Sequence, residues 1–496
     1  MGETMRSFNH GDNASPFSLH PTRKLRVVVD KSAPATEDPE SMALLLKLLE
    51  HKSIDVLFYG GFDVPRSVPR STQFGEDGAP VGWIEVEGGA GIDQTYVAKW
   101  SESPTTFSHS LLSSAFLNRS NLQAVATAQP GWTGGATEDE LFSGSLMRNA
   151  AQAADADIVI TPSKSLSEVS GPLVEGVATI DPGLAIAFVG LYLRSIDRCV
   201  VIYEKPSEMA AELSRGLFYR AASRIVCPSV GSLYVDILHL EHAETPTDGR
   251  RTEYVYRNML ALAGAVSSRV ARCLMARDGI LIGSLLPESN MGLGSRDQVA
   301  AEFDSTVVLV AAAFDALAGL CDAILDLGSK ERDTKWQNDQ WRQKACRVDQ
   351  NLDRVFARES NVELIRLLGL LRNEIHGEGI EATEFLSDKD DRRLMIGLSS
   401  RRTEKFFRHL SAGDLGGAVE TVDVGPYGLL INPLDVCSVL IPKMLDLLNQ
   451  IANAMTSALR AGNGMPLENR SERQVLGHLD LDAVRNSVRM QLWLGE

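Results

Sequence analysis

Cysteine is scarce in this chain: six in 496 residues, at 199, 227, 273, 321, 346 and 437. No Cys-x-x-Cys or Cys/His pairing occurs, so neither a disulfide framework nor a zinc site is expected, and the six read as buried thiols in a reducing compartment. Positive charge is in deficit, with 49 Lys+Arg against 65 Asp+Glu and a net charge of −16. That balance excludes a surface that simply coats nucleic acid and leaves room only for a local cleft. No stretch reaches the ~18 uninterrupted apolar residues of a membrane span. The nearest, Gly183–Leu193, stops at Arg194. The polar start, Met1–Thr22, has no apolar signal core, and the expectation is a cytoplasmic protein without membrane contact. Phosphate loops are missing too: Gly60-Gly61 and Gly88-Gly-Ala-Gly91 lack the Lys-Ser/Thr that such a loop needs, and they read as turns.

What is present is ordinary globular material, 44% apolar and 23% charged. At roughly 150 residues per domain the length suggests about three domains. After a tail over 1–22, Lys24-Leu-Arg-Val-Val-Val-Asp30 predicts a buried strand, Met42–Leu49 a helix and Ile54–Tyr59 a second strand. Asp63 to about Thr105, rich in Gly, Pro and Ser, reads as a surface excursion. A helix from about Glu138 to Ala154 then feeds a third strand, Asp157–Thr161. This alternation predicts a parallel α/β domain over 23–165. Residues 166–286 read as a helical connector, with helices at Gly183–Leu193 (opened by Asp181-Pro182), Ser207–Ser223 and Glu253–Met275. Gly283–Asp297 reads as a linker, and 297–496 as a helical domain with a hairpin turning at Gly425–Gly428. The fold class expected is α+β and multi-domain, an N-terminal parallel sheet followed by mainly helical regions.

The segment that carries chemistry is Leu370-Leu-Arg-Asn-Glu-Ile-His-Gly377. Residues four apart stack on one helix face, so Leu364, Leu368, Arg372 and His376 form a stripe that begins apolar and ends in a guanidinium and an imidazole. Asn373 is adjacent, and Gly377 ends the helix. A neutral imidazole can take a 2′-hydroxyl proton while an arginine stabilises charge on the phosphate, without a metal. The alternative is that Arg372 pairs with a carboxylate such as Glu363 or Glu374 and that His376 caps the helix.

This stretch resembles the HEPN superfamily, whose second conserved helix carries an Arg, usually followed by Asn, and a nearby His. The resemblance covers about 300–460, from an apolar helix with Phe314-Asp315-Ala-Leu317 to the closing helix. It implies a helical bundle, a homodimer with a shared cleft, and RNA cleavage by Arg372, Asn373 and His376 without a cofactor. It also implies a bacterial stress or phage-defence setting, with a protein partner of a defence or toxin–antitoxin system.

The N-terminal domain resembles PIN-like nucleases, in which clustered carboxylates hold Mg²⁺ or Mn²⁺. On that resemblance Asp30, Asp139 and Asp157 are the candidate ligands, with Asp30 and Asp157 or Thr161 converging at the sheet edge. Arg392, Arg393, Arg401, Arg402, Lys405 and Arg408, with Phe406 and Phe407 among them, could hold a single RNA strand and wall the Arg372 groove. His239-Leu-Glu-His242 lacks a third ligand and is read as surface or packing. The rival to a nuclease is a sensor or scaffold whose nuclease-like domains have lost their chemistry.

Overall fold

The computed structural model describes residues 24–30, 39–60, 82–88, 96–103, 106–112, 137–162, 177–202, 210–243, 249–284, 293–377, 381–386, 392–399, 403–413, 415–425, 428–462 and 481–492. The chain is α+β and divides into two units: Met1–Leu213 with Leu285–Gly292 and Asp480–Trp493, and Ser214–Ser284 with Leu293–Leu479 and Leu494–Glu496.

The first unit is built on β1 (Leu25–Asp30), α1 (Pro39–Leu49), β2 (Ile54–Tyr59), β3 (Gly82–Gly88), β4 (Tyr96–Ser103), β5 (Thr106–Leu112), α2 (Glu138–Ala153), β6 (Ile158–Ile160), β7 (Ala178–Ile180), α3 (Pro182–Ser195), β8 (Cys199–Ile202) and β9 (Ala210–Leu213). Seven strands form one mixed sheet in the order β5-β4-β3-β2-β1-β6-β7. β3, β2, β1, β6 and β7 run parallel, and β4 and β5 add an antiparallel ribbon at one edge. β1 is central because its β-branched run is apolar on both faces: Leu25, Val27, Val28 and Val29 are all fully buried. Val28, Leu57, Ile84 and Val159 pack with Leu141, Leu146, Met147 and Ala150 of α2. By the two-residue period, Val27, Val29, Val56 and Ile158 face the other side.

Local signals explain the helices. Thr137 and Glu140 form a reciprocal capping box at the start of α2. Asp181 accepts from the Leu184 backbone N–H at 2.9 Å at the start of α3, with Pro182 in the first turn. A further helix, α13 (Leu481–Leu492, numbered after the second unit's helices), belongs to this unit although it follows the whole second unit in sequence. The Gln491 side-chain amide donates to the Val200 carbonyl at 2.9 Å, and the Gln491 backbone carbonyl accepts from both Nη atoms of buried Arg194. A Cβ at Gly190 would stand 3.0 Å from the Gln491 side chain, so a larger residue there would require α13 to give by a few tenths of an ångström.

The second unit begins with α4 (Arg215–Val226), α5 (Pro228–Ala243), α6 (Gly249–Ser284) and α7 (Leu293–Ile324). It continues through α8 (Asp339–Val348), α9 (Gln350–Phe356), α10 (Glu359–Gly377), β10 (Glu381–Leu386), β11 (Arg392–Leu398), α11 (Thr403–Ala412), β12 (Thr421–Asp423), β13 (Leu429–Ile431) and α12 (Ile441–Gly462). α6 and α7 form its principal helix pair, and α10 lies between α7 and α11. By length and composition Val255–Ser284 and Arg296–Ile324 are apolar enough to cross a membrane. Of the most apolar stretch of each, 44% and 56% respectively is buried within the protein. In α6, Arg277 and Asp278 are fully enclosed, with Tyr219 donating to Asp278 at 2.7 Å. Arg277 Nε donates to the Cys437 carbonyl at 2.9 Å, in a π-helical turn, Val436–Leu440, that leads into α12. Burial pushes the thiols of Cys227 and Cys437 up to about 12, so both stay protonated packing groups.

Three sequence expectations change. The excursion expected over 63–105 contains all of β3 and β4, because the alternating run Gly82-Trp-Ile-Glu-Val-Glu is a sheet pattern set among turn-forming residues. The connector expected over 166–286 holds β7, β8 and β9, strands of three or four residues that are too short to show a period. Its helix expected at Ser207–Ser223 divides into β9 and α4, and the boundary between units falls at Leu213 rather than at 165.

Candidate functional site

α10 is positioned by its apolar residues: Leu364, Ile365, Leu367, Leu368 and Leu371 are all buried. The stripe that continues Leu364 and Leu368 reaches α7, and there the guanidinium meets a carboxylate. Arg372 Nη1 donates to Asp315 Oδ2 at 2.6 Å, with the two side chains 30% and 25% exposed. Neither Glu363 nor Glu374 is its partner, because both lie on the opposite side of α10. At 100° per residue Glu363 is half a revolution from Arg372, and Glu374 is nearly as far round.

One turn beyond Arg372, His376 is exposed, as is Asn373. The charge of His376 acts on Asp304, which lies about three turns before Asp315 on α7. Burial raises the Asp304 carboxyl above its usual range, and the imidazole partly offsets this. One oxygen each of Asp304 and Asp315 is enclosed with no hydrogen-bond partner among the described residues. The α7–α10 face therefore pairs Arg372 with Asp315 and sets His376 near Asp304, on an open surface.

The opposite face of α10 holds a second ionic assembly that sequence reasoning missed. Buried Glu363 accepts from His409 Nδ1 of α11 and from Arg366, while Arg366 also reaches Asp339. Asp339 is bound in turn by Arg342, whose Nη1 donates to the Trp336 carbonyl at 2.6 Å. Hydrogen bonds from His409 and Arg366 outweigh burial and hold the Glu363 carboxyl below its ordinary range. Glu374 accepts from the Ser399 backbone N–H at 2.6 Å and lines a small cleft with Leu370, Leu371, Leu398, Thr403 and Phe406. Glu363 and His409 are 46 positions apart, so no spacing rule could have joined them.

Of the basic stretch, Lys405 and Arg408 do not wall the Arg372 groove. Lys405 and Arg408 are exposed on α11, which packs on the side of α10 turned away from α7. Arg392 and Arg393 begin β11, paired in register with Leu386 and Phe385, whereas Arg401 and Arg402 lie outside the described residues.

The acidic residues of the first unit do not converge either. Asp30 ends β1, and Thr161 Oγ1 donates to its carboxylate at 2.8 Å, so this expected pair does meet. Asp157 precedes β6 and accepts from the Arg26 backbone N–H at 2.8 Å, at the opposite end of the parallel strands. Four strand positions separate it from Asp30, about 13 Å. Asp139 is exposed in the first turn of α2. Among the described residues no three His, Cys, Asp or Glu side chains are grouped to hold a metal. His239 is exposed on α5. Comparison with known proteins returns no matching family model, no matching curated protein and no matching solved structure.

Proposed function

We propose that the α7–α10 face handles RNA, as a metal-independent endoribonuclease of the HEPN type acting as a homodimer. The observation that supports this is the placement of Arg372 and His376 one turn apart on one helix, with Arg372 paired to a carboxylate of α7 and His376 exposed. Asp315 fixes one edge of the guanidinium and leaves the side chain partly open to a phosphate. His376 is accessible to take the 2′-hydroxyl proton. The 2′-oxygen then attacks the adjacent phosphorus, the P–O5′ bond breaks, the 5′-oxygen takes a proton from the imidazolium or from water, and a 2′,3′-cyclic phosphate remains. Arg372 would neutralise charge on the non-bridging oxygens. Because the face is open, a second copy of the chain is needed to close a groove over it. In this reading the second unit is a HEPN-like bundle and the first a PIN-like layer without a complete carboxylate set. The setting would be bacterial stress response or phage defence, with a protein partner of that system.

The Arg372–Asp315 ion pair favours a second reading, a non-catalytic sensor or scaffold, because two carboxylates on the face oppose a polyanion. Labelled single-stranded RNA incubated with the full chain, with and without EDTA, separates the readings. Cleavage that survives EDTA and is lost in both Arg372→Ala and His376→Ala supports the nuclease. Cleavage lost on chelation moves the chemistry away from this face. Intact RNA throughout supports the scaffold.

A further inference from the structure

The solvent side of α4 runs against the acidic balance of the chain. Its exposed residues are Gly216, Leu217, Arg220 and Arg224, and its one other charged residue, Arg215, is also basic. Leu217, Arg220 and Arg224 are spaced three and four apart and form a single stripe. α6 repeats the pattern, with Ser268, Arg272 and Met275 spaced four and three apart and all exposed. Among the described residues no exposed side chain of either helix is acidic, although the chain as a whole carries −16.

Two contacts set these stripes side by side. The Ser223 and Ser267 hydroxyls meet at 3.1 Å, and Tyr219 donates to Asp278 at 2.7 Å, so α4 and α6 run antiparallel. Arg220 and Arg224 each follow a contact residue by one position, as Ser268 follows Ser267. One position is a little over a quarter of a revolution. In antiparallel helices equal rotations from the contact line lead to the same side, so both stripes look the same way. Tyr234 of α5 joins them, its ring 3.8 Å from where a Cβ on Gly264 of α6 would stand.

The occupant must satisfy both kinds of side chain on this face. The guanidinium groups of Arg220, Arg224 and Arg272 are exposed and make no hydrogen bond or ion pair among the described residues. The half-buried Glu302 of α7 lies beside Gly279, and its charge acts on Arg215. Leu217, Tyr234 and Met275 are 53%, 37% and 39% exposed, and large apolar groups gathered in one place mark a contact surface. A polynucleotide would engage the arginines and leave Leu217 and Met275 without a partner. A membrane interface engages both: lipid phosphates take the guanidinium groups, the acyl boundary takes Leu and Met, and Tyr sits at headgroup level. We infer that the α4–α6 face docks on a bilayer containing anionic phospholipid, with Arg220, Arg224 and Arg272 on the headgroups and Leu217 and Met275 at the acyl boundary. Contact of this kind is peripheral and needs no spanning segment. It does not depend on the RNA-handling reading of α10.

Co-sedimentation of the full chain with vesicles tests it. One set is phosphatidylcholine alone, and the other contains one third phosphatidylglycerol. The chain should sediment with the anionic set only, and less as salt is raised. Each of Arg220→Gln, Arg224→Gln and Arg272→Gln should lower the partition constant about fivefold, and the triple variant about a hundredfold. Leu217→Ser combined with Met275→Ser should weaken binding severalfold and leave its salt dependence unchanged. Removing positive charge elsewhere, by Lys405→Gln and Arg408→Gln at exposed positions of α11, should leave the partition constant nearly unchanged. Should the Leu217 and Met275 variant fail to fold, the arginine series carries the test. The inference is overturned if the chain does not sediment, if it binds both sets equally, or if the triple variant binds like the parent. It is equally overturned if the parent ignores vesicles but retains labelled single-stranded RNA that the triple variant loses, which would assign the face to a polynucleotide.

Discussion

α10 carries an arginine–carboxylate pair on each of two opposite faces, and the two differ chiefly in how deeply the carboxylate is buried. Toward α7, Arg372 and Asp315 are both partly exposed, and the neighbouring imidazole of His376 is open. Toward α11, Glu363 is almost sealed and is bound at once by His409 and Arg366. Water weakens the first pair electrically and leaves its cation available to a ligand. Enclosure of Glu363 makes the second a clamp between α10 and α11, and removing its carboxylate leaves the buried His409 imidazole without its partner. The same residue chemistry thus serves recognition on one side and cohesion on the other.

The largest expected effect comes from breaking the sealed side. Glu363→Ala should lower the free energy of unfolding by about 3 kcal/mol, read from urea titration, because it leaves His409 and Arg366 without their carboxylate. An unchanged midpoint would show that the enclosed pair is no stronger than the open one.

A pH series sharpens the same contrast. The folded Glu363 carboxyl titrates below its unfolded value of 4.5, so the unfolded chain binds more protons as acid is added. Its contribution is present above pH 4.5 and is lost as pH falls toward the folded value. Glu363→Gln should flatten that part of the stability profile.

Smaller effects belong to the open side. Asp315→Asn should cost less than about 1 kcal/mol in urea titration. If the α7–α10 face handles RNA, the same change should tighten RNA retention severalfold in filter binding, since it frees the guanidinium and removes a negative charge. Weaker retention would mean that Asp315 positions Arg372 rather than competing for it. The smallest change is expected for Asp139→Asn, an exposed site, where the urea midpoint should hold to within about 0.5 kcal/mol.

What could be read from the sequence follows the length over which a signal repeats. The run from Leu25 to Val29 declares a buried strand by itself, and Asp181-Pro182 declares the start of α3. The stripe from Leu364 to Arg372 puts the guanidinium at the end of an apolar face, where it stands. Its partner was beyond reach, because the choice between Asp315 and Glu374 depends on which neighbour packs against which side of α10. Asp30 and Thr161 could be joined because parallel strands end together, whereas Asp157 precedes its strand and so stands at the other end. Strands such as β7, at three residues, are set by the sheet they join rather than by their own composition.

The return of α13 to the first unit imposes an order on synthesis. Gln491 bonds Arg194 across 297 positions, and Val200 across 291. At translation rates of ~5–20 residues per second, those partners wait roughly a quarter of a minute to a minute for it. Throughout that interval the surface of α3 that receives α13 lacks its cover, while the second unit emerges and can fold. A message cut short before α13 would leave the N-terminal layer unfinished, however well the intervening helices had formed.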